Sequence, residues 1–287
     1  MMVAERTVRR ILVALDASPA SLAALEAAAH LAADTGAELL GLYVEDESLL
    51  RGAELPLSRV VGSFSGTVFP IGRSGIEHQL KAQAERARRA MEAVALRARL
   101  RWSFRVMRGA VTASLGAASS GADIISLGRS GWARMGLRRM GRTTASILES
   151  AGAPVLLFDY GLRPGQAVVI VYDDQPGATA ALDFAGMLAR DEATPLFIVL
   201  RGPEDRLDAI GAAAERDLRQ LGITRQVQFY RLGTRDPAML TRVHPAGGIG
   251  VLVLPRAGAL GRGVADLLSE LRCPVLIIRK APAEAAD

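Results

Sequence analysis

Two stretches of this chain repeat one another, and the repeat constrains the fold more than any single motif. Ile11-Leu12-Val13-Ala14-Leu15-Asp16-Ala17-Ser18-Pro19 and Val168-Val169-Ile170-Val171-Tyr172-Asp173-Asp174-Gln175-Pro176 are each an apolar run ending in aspartate, with proline three residues later. At the same offset Leu25 falls on Leu182, Glu26 on Asp183, Leu31 on Leu188 and Leu39 on Leu196. Further on, Ala153-Pro154-Val155-Leu156-Leu157 matches Cys273-Pro274-Val275-Leu276-Ile277. Two copies of a unit of roughly 120 to 150 residues account for this. The expected domains are 1–160 and 166–287, joined by a linker carrying Gly161, Pro164 and Gly165.

Within a copy, apolar strands alternate with helical patterns, which predicts parallel pairing with helices on both faces. In the first copy the strands fall at Ile11–Leu15, Glu38–Val44, Trp102–Met107, Asp123–Leu127 and Val155–Phe158. The first helix begins near Ser18, with Pro19 suited to the first helical position and Gly36 to a stop. A long helix carries Ile76, Leu80, Ala84, Ala87, Met91, Val94 and Ala98 on one face. The second copy repeats the strands at Val168–Tyr172, Leu196–Leu200, Val227–Leu232, Val251–Leu254 and Val275–Ile278. The fold class is therefore α/β, two tandem doubly wound parallel sheets of five strands. Strand five of each copy is apolar and marginal, and pairing removes such an edge. The two copies are expected to join there about a pseudo-two-fold axis, and a homodimer of chains is a further expectation. The insertion 45–74, with Phe64 and Phe69, reads as either a lid or a partner surface.

Half of the 287 residues are apolar and 5% aromatic, a composition that supplies a packed core. No uninterrupted apolar stretch approaches a membrane span, and Ile11–Leu15 is too short for a signal peptide. With one cysteine, Cys273, no internal disulfide can form. A cytoplasmic location is expected.

The net charge of +5 is carried by the first copy, which to Tyr160 has 20 basic and 15 acidic residues. Arg129, Arg134, Arg138, Arg139 and Arg142 follow one another without an intervening acid. They lie in a glycine-bearing segment, Ile124-Ile125-Ser126-Leu127-Gly128-Arg129-Ser130-Gly131, answered by Gly141-Arg142-Thr143-Thr144. Glycines at a strand's carboxyl end before a helix leave backbone N–H groups able to meet an anion, and arginines beside them suit a polyphosphate. A solvated arginine face is the competing reading. The charged helix from Lys81 to Arg101 reads better as a solvated face than as a nucleic-acid arm, because its apolar stripe demands a core partner and glutamates dilute its field.

Together, Asp16, the Ala122–Gly128 run, the spacing G-x2-G-x9-G at Gly128, Gly131 and Gly141, and the ending Ala153–Leu157 resemble the universal stress protein family in its tandem two-domain form. The resemblance covers nearly the whole chain. It implies a five-stranded doubly wound sheet per domain and an ATP site, with or without magnesium, in the domain that keeps the glycines. Carried over by position, Ala14 and Asp16 would meet the base and ribose and Val44 the adenine. Leu127, Gly128, Gly131, Gly141, Arg142, Thr143 and Thr144 would meet the ribose and phosphates, beside Arg129. The family pattern usually has Ser or Thr where Arg142 stands, and tends to have proline at Val111. In the second copy Pro255 replaces Gly128, Arg201 replaces Val44 and seven residues of the loop are missing between Gly258 and Gly261, so that site is expected to be degenerate.

Other chemistry lacks its residues. No G-x-x-x-x-G-K-[ST] segment occurs, and Asp16-Ala17-Ser18-Pro19 follows the first strand where a dinucleotide fold has glycines. His30, His78 and His244 are scattered, so no metal site is expected, and Ser126, Ser130 and Cys273 have no recognisable catalytic companions. The expected function is an ATP-binding stress-response regulator acting on a protein partner by binding. A weak ATPase and a nucleotide-free scaffold are the alternatives.

Overall fold

Ser18 starts the first helix as anticipated: its side chain accepts a hydrogen bond from the Ser21 N–H at 3.2 Å, and Pro19 follows at the first helical position. Gly36 ends the helix in the left-handed conformation at φ 71°, where a side chain would be strained. The computed structural model describes residues 8–53, 59–61, 68–70, 72–129, 142–158, 166–173, 175–191, 193–233, 240, 243, 245, 248–255, 268, 270, 271 and 273–278.

The chain divides into two compact units after Ala151. The amino-terminal unit runs β1 (Arg10–Ala14), α1 (Pro19–Thr35), β2 (Glu38–Asp46), α2 (Glu47–Ala53), β3 (Arg59–Val61), β4 (Val68–Pro70), α3 (Arg73–Arg97), β5 (Trp102–Gly109), α4 (Val111–Ser119), β6 (Ile124–Gly128) and α5 (Arg142–Ser150). Its main sheet has the order β6-β1-β2-β5, all parallel. Val13 pairs with both Gly41 and Ser126, so the three share a face. On that face the Ser126 hydroxyl donates to the Ala24 carbonyl of α1 at 3.0 Å, and Gly41 faces Met91 of α3. Leu12, Leu40 and Ile125, of opposite parity, are equally buried. Both faces of the sheet are therefore covered, the doubly wound arrangement that alternating strands and helices require.

The insertion expected between the second strand and the long helix holds its own structure. Helix α2 continues directly from β2 and packs on α3 through Leu50, Ile76 and Leu80, while β3 and β4 form an antiparallel pair. The predicted stripe of α3 is buried at Ile76, Leu80, Ala84, Ala87, Met91 and Val94. Its charged face is laced by internal ion pairs, Arg88 to Glu85 at 2.9 Å and to Glu92 at 3.1 Å, and Arg89 to Glu85 at 2.9 Å. Hydrogen bonds from Arg88 and then Arg89 hold the Glu85 carboxyl down to about 2. Near the end of the helix Arg97 reaches out of it to Glu26 of α1.

The carboxy-terminal unit contains β7 (Val155–Phe158), β8 (Ala167–Tyr172), α6 (Ala178–Leu188), β9 (Leu196–Arg201), α7 (Leu207–Gln220), β10 (Val227–Leu232), β11 (Ile249–Pro255) and β12 (Val275–Ile278). Its strand order is β10-β9-β8-β11-β12-β7. Five strands are parallel, and β7 runs antiparallel to β12, with Leu156 opposite Leu276. By sequence β7 is the last strand of the first copy. Its contacts group it with the second unit, where it is buried along its whole length and pairs with β12. The linker residues 159–165 lie outside the described residues.

The repeat seen in the sequence is also a repeat of register. Ile11 pairs with Leu39 and Ala14 with Leu42 in the first unit; Val168 pairs with Leu196 and Val171 with Val199 in the second. The offset between copies is the same on both strands.

Candidate functional site

The carboxyl end of β1 turns sharply into α1, and four side-chain hydrogen bonds fix that turn. The Asp16 carboxylate accepts from the Ser18 N–H at 2.9 Å. The Ser21 hydroxyl accepts from the Asp16 N–H at 3.4 Å and donates to the Ser18 carbonyl at 3.1 Å, while Ser18 caps Ser21. Ala17 takes a positive φ of 59°, uncommon for a residue with a side chain. The result is a carboxylate held at the strand end. It is half-buried, as are Ala14 and Val44. Ala14 pairs with Leu42, and the Leu15 N–H continues to the Leu42 carbonyl at 2.9 Å, so two residues further along Asp16 stands level with Val44. A carboxylate beside an apolar wall, both partly open, is a place where a polar group and a ring could be held together.

Behind Val44 the opposite face of β2 is closed. Tyr43 is buried, and its hydroxyl donates to Gln83 Oε1 of α3 at 2.9 Å. Next to it Glu45 accepts from Arg108 of β5 at 2.8 Å, a cross-strand ion pair at register partners. Burial pushes the Tyr43 phenol up to about 12, with the Glu45 and Asp16 carboxylates adding to the rise and Arg86 opposing it. A phenol raised in the folded state keeps its proton where the unfolded chain has lost it. Its contribution to stability is therefore whole below about pH 10 and disappears as pH climbs toward 12. In an alkaline absorbance titration, Tyr43→Phe should remove a step near pH 12. Loss of an earlier step in its place would contradict this.

The end of β6 is tied on two sides. Gly128 lies so close to α1 that a Cβ added there would stand 2.8 Å from both the Ala20 carbonyl carbon and the Ser21 nitrogen. From α5, the Thr144 hydroxyl donates back to the Gly128 carbonyl at 3.3 Å. Leu127 and Arg129 are buried, Thr143 is half-buried and Thr144 is buried. The structure thus gives Gly128 a reason distinct from the bare amide inferred for it: backbone-to-backbone approach to the first turn of α1. Gly131 and Gly141 lie outside the described residues, as does the side chain of Arg142, whose backbone opens α5. In the second unit Leu252 pairs with Val169 and Val253 with Ile170, repeating Leu12 with Ile125 and Val13 with Ser126, so Pro255 takes the place of Gly128.

The architecture thus gathers Ala14, Asp16 and Val44 at adjoining strand ends, and joins Gly128 to both Thr144 and the turn that carries Asp16. Sequence reasoning missed Ser21, whose signal was its place three residues after the cap, and Tyr43 and Glu45, whose partners come from distant elements. Among the described residues no group of three or more His, Cys, Asp or Glu could hold a metal ion. Among the same residues no helix is long and apolar enough to cross a membrane.

Comparison with known proteins places these features in context. The family model described as the universal stress protein family matches residues 7–159. No curated protein matches the chain. Among solved structures, a universal stress protein from Archaeoglobus fulgidus DSM 4304 is similar with a TM-score of 0.71 at 17% identity, covering 96% of this chain and 97% of that one. A putative universal stress protein from Pseudomonas aeruginosa UCBPP-PA14 is similar with a TM-score of 0.55 at 15% identity, covering 96% and 94%. A further universal stress protein, solved in complex with cAMP, has 17% identity over 53% of this chain and 97% of its own, with a TM-score of 0.36.

Proposed function

The chain belongs to the universal stress protein family, and from that premise we propose that its amino-terminal unit holds ATP and signals by binding. The observation that carries this reading is the half-open pair of strand ends where Ala14 pairs with Leu42, with Asp16 and Val44 each two residues further on. A carboxylate there can accept from ribose hydroxyls or an exocyclic amine, and Val44 and Ala14 supply an apolar surface for a purine. These residue types fit the nucleoside end of ATP. The glycine spacing and the arginines of residues 128–142 supply, from the sequence, the groups for a triphosphate, with or without magnesium.

The reading extends to a cytoplasmic, stress-responsive regulator with a protein partner. Its carboxy-terminal unit would be a degenerate copy, supported by the repeated register and by Pro255, which offers no N–H where Gly128 stands. Turnover would be slow or nil, with a weak ATPase as the alternative.

Equilibrium binding of labelled ATP to the full chain tests the proposal. Saturable binding by the wild type, weakened about tenfold or more by Gly131→Ala, is expected, because an added Cβ hinders close approach of a phosphate to the backbone. The absence of saturable binding by either protein would eliminate the nucleotide reading in favour of a scaffold. Phosphate release in a single turnover would instead identify a hydrolase.

A further inference from the structure

The strand-end crevice of the carboxy-terminal unit is filled by the chain itself. Carrying the repeated register of β8 and β9 forward puts Asp173 where the first unit has Asp16, and Arg201 where it has Val44. One hydrogen bond of the turn recurs: the Gln175 N–H donates to Asp173 at 3.4 Å, as the Ser18 N–H does to Asp16. What differs is exposure. Asp16 and Val44 are half-buried, whereas Asp173 and Arg201 keep only 5% and 3% of their surface. An Arg201 Nη2 lies 3.1 Å from Asp173 Oδ2, and their side chains are shielded from solvent together.

We infer that Arg201 acts as a built-in ligand, its guanidinium occupying the crevice of the carboxy-terminal unit and engaging the carboxylate at its base. Arginine suits the role. Its stem is long enough to cross from β9 to β8, its head stays charged at any accessible pH, and its planar fork matches a carboxylate better than an ammonium does. A buried pair of this kind need not add net stability compared with apolar residues, but removing one partner strands the other charge in a medium that solvates it poorly. The second crevice is thus closed by an internal cation, independently of whether the first unit holds a nucleotide. Trimming Arg201 should leave a cavity with a carboxylate at its base and the shape of a guanidinium group.

The full chain carrying Arg201→Ala tests this by thermal unfolding, with methylguanidinium as the probe and methylammonium at the same millimolar concentration as its control. The variant should lose about 10 °C in the transition of the carboxy-terminal unit. Methylguanidinium should restore several degrees where methylammonium restores less, and should do nothing for the wild type or for Asp173→Asn combined with Arg201→Ala. A transition unchanged by Arg201→Ala, or a loss that methylguanidinium does not recover, would overturn the inference. Where Arg201→Ala fails to fold, the Asp173→Val and Arg201→Val double variant decides. A folded chain shows that the stranded carboxylate was the fault, whereas an unfolded one overturns the assignment.

Discussion

In a Val44→Arg variant, ATP binding by the amino-terminal unit is expected to fall by roughly 100-fold or more, with the fold intact. The change transplants into the first unit the residue that closes the second, at the same register against the strand-end aspartate. Val44 is half-buried, so a longer side chain has room to leave the strand and reach across to Asp16, as Arg201 reaches Asp173 at 3.1 Å. A guanidinium seated there would compete with a nucleoside twice over, taking the acceptor and occupying the apolar wall. Calorimetric titration with ATP reports the loss, and the thermal transition of the same preparation separates it from unfolding. Undiminished affinity in a folded variant would show that Val44 and Asp16 do not share one site.

The Gly128→Ala variant should show the second large effect, this time on the fold as well. A methyl at this position would sit 2.8 Å from two backbone atoms, the Ala20 carbonyl carbon and the Ser21 nitrogen. Neither can rotate aside like a flexible side chain, so the end of β6 or the first turn of α1 must shift. Overpacking of this sort costs about 2–3 kcal/mol, which corresponds to a fall of roughly 4–10 °C in Tm. The shift also moves the turn holding Ser18, Ser21 and Asp16, so ATP affinity should fall with stability. Gly116, in the middle of α4, is the control, since an added Cβ there meets nothing within 4 Å. Gly116→Ala should leave binding unchanged and raise stability slightly, by about 0.5–1 kcal/mol for a glycine replaced within a helix. Equal tolerance of both substitutions would contradict the close approach.

These two positions also mark how far the site could be read before the structure. Local signals were legible: Ser18 and Pro19 open a helix, Gly36 closes it, and the stripe of α3 faces the core, because each depends on residues a few places apart. Asp16 and Val44 were brought into one site by the family resemblance alone, and that their strand ends adjoin is a matter of the register of β1 and β2. Contacts set by the packing of distant elements were not legible. The 2.8 Å approach of Gly128 to α1 joins residues more than one hundred positions apart, so the sequence suggested an exposed amide where the structure has a crowded backbone. The same holds for the Tyr43 hydroxyl on Gln83. Arg201 could be placed at the Val44 position, and Asp173 read as a polar strand end. Their burial together depends on side-chain reach across two strands, which no spacing along the chain records. Strand β7 pairs where an apolar edge is offered, and sequence order does not say whose edge that is.

The central claim, one open crevice and one filled from within, is tested most directly by counting ATP bound per full-length chain at saturation, by calorimetric titration of nucleotide-stripped protein. A stoichiometry of one that disappears in Val44→Arg is the result expected. Two equivalents per chain would contradict the filled crevice, and none would contradict the open one.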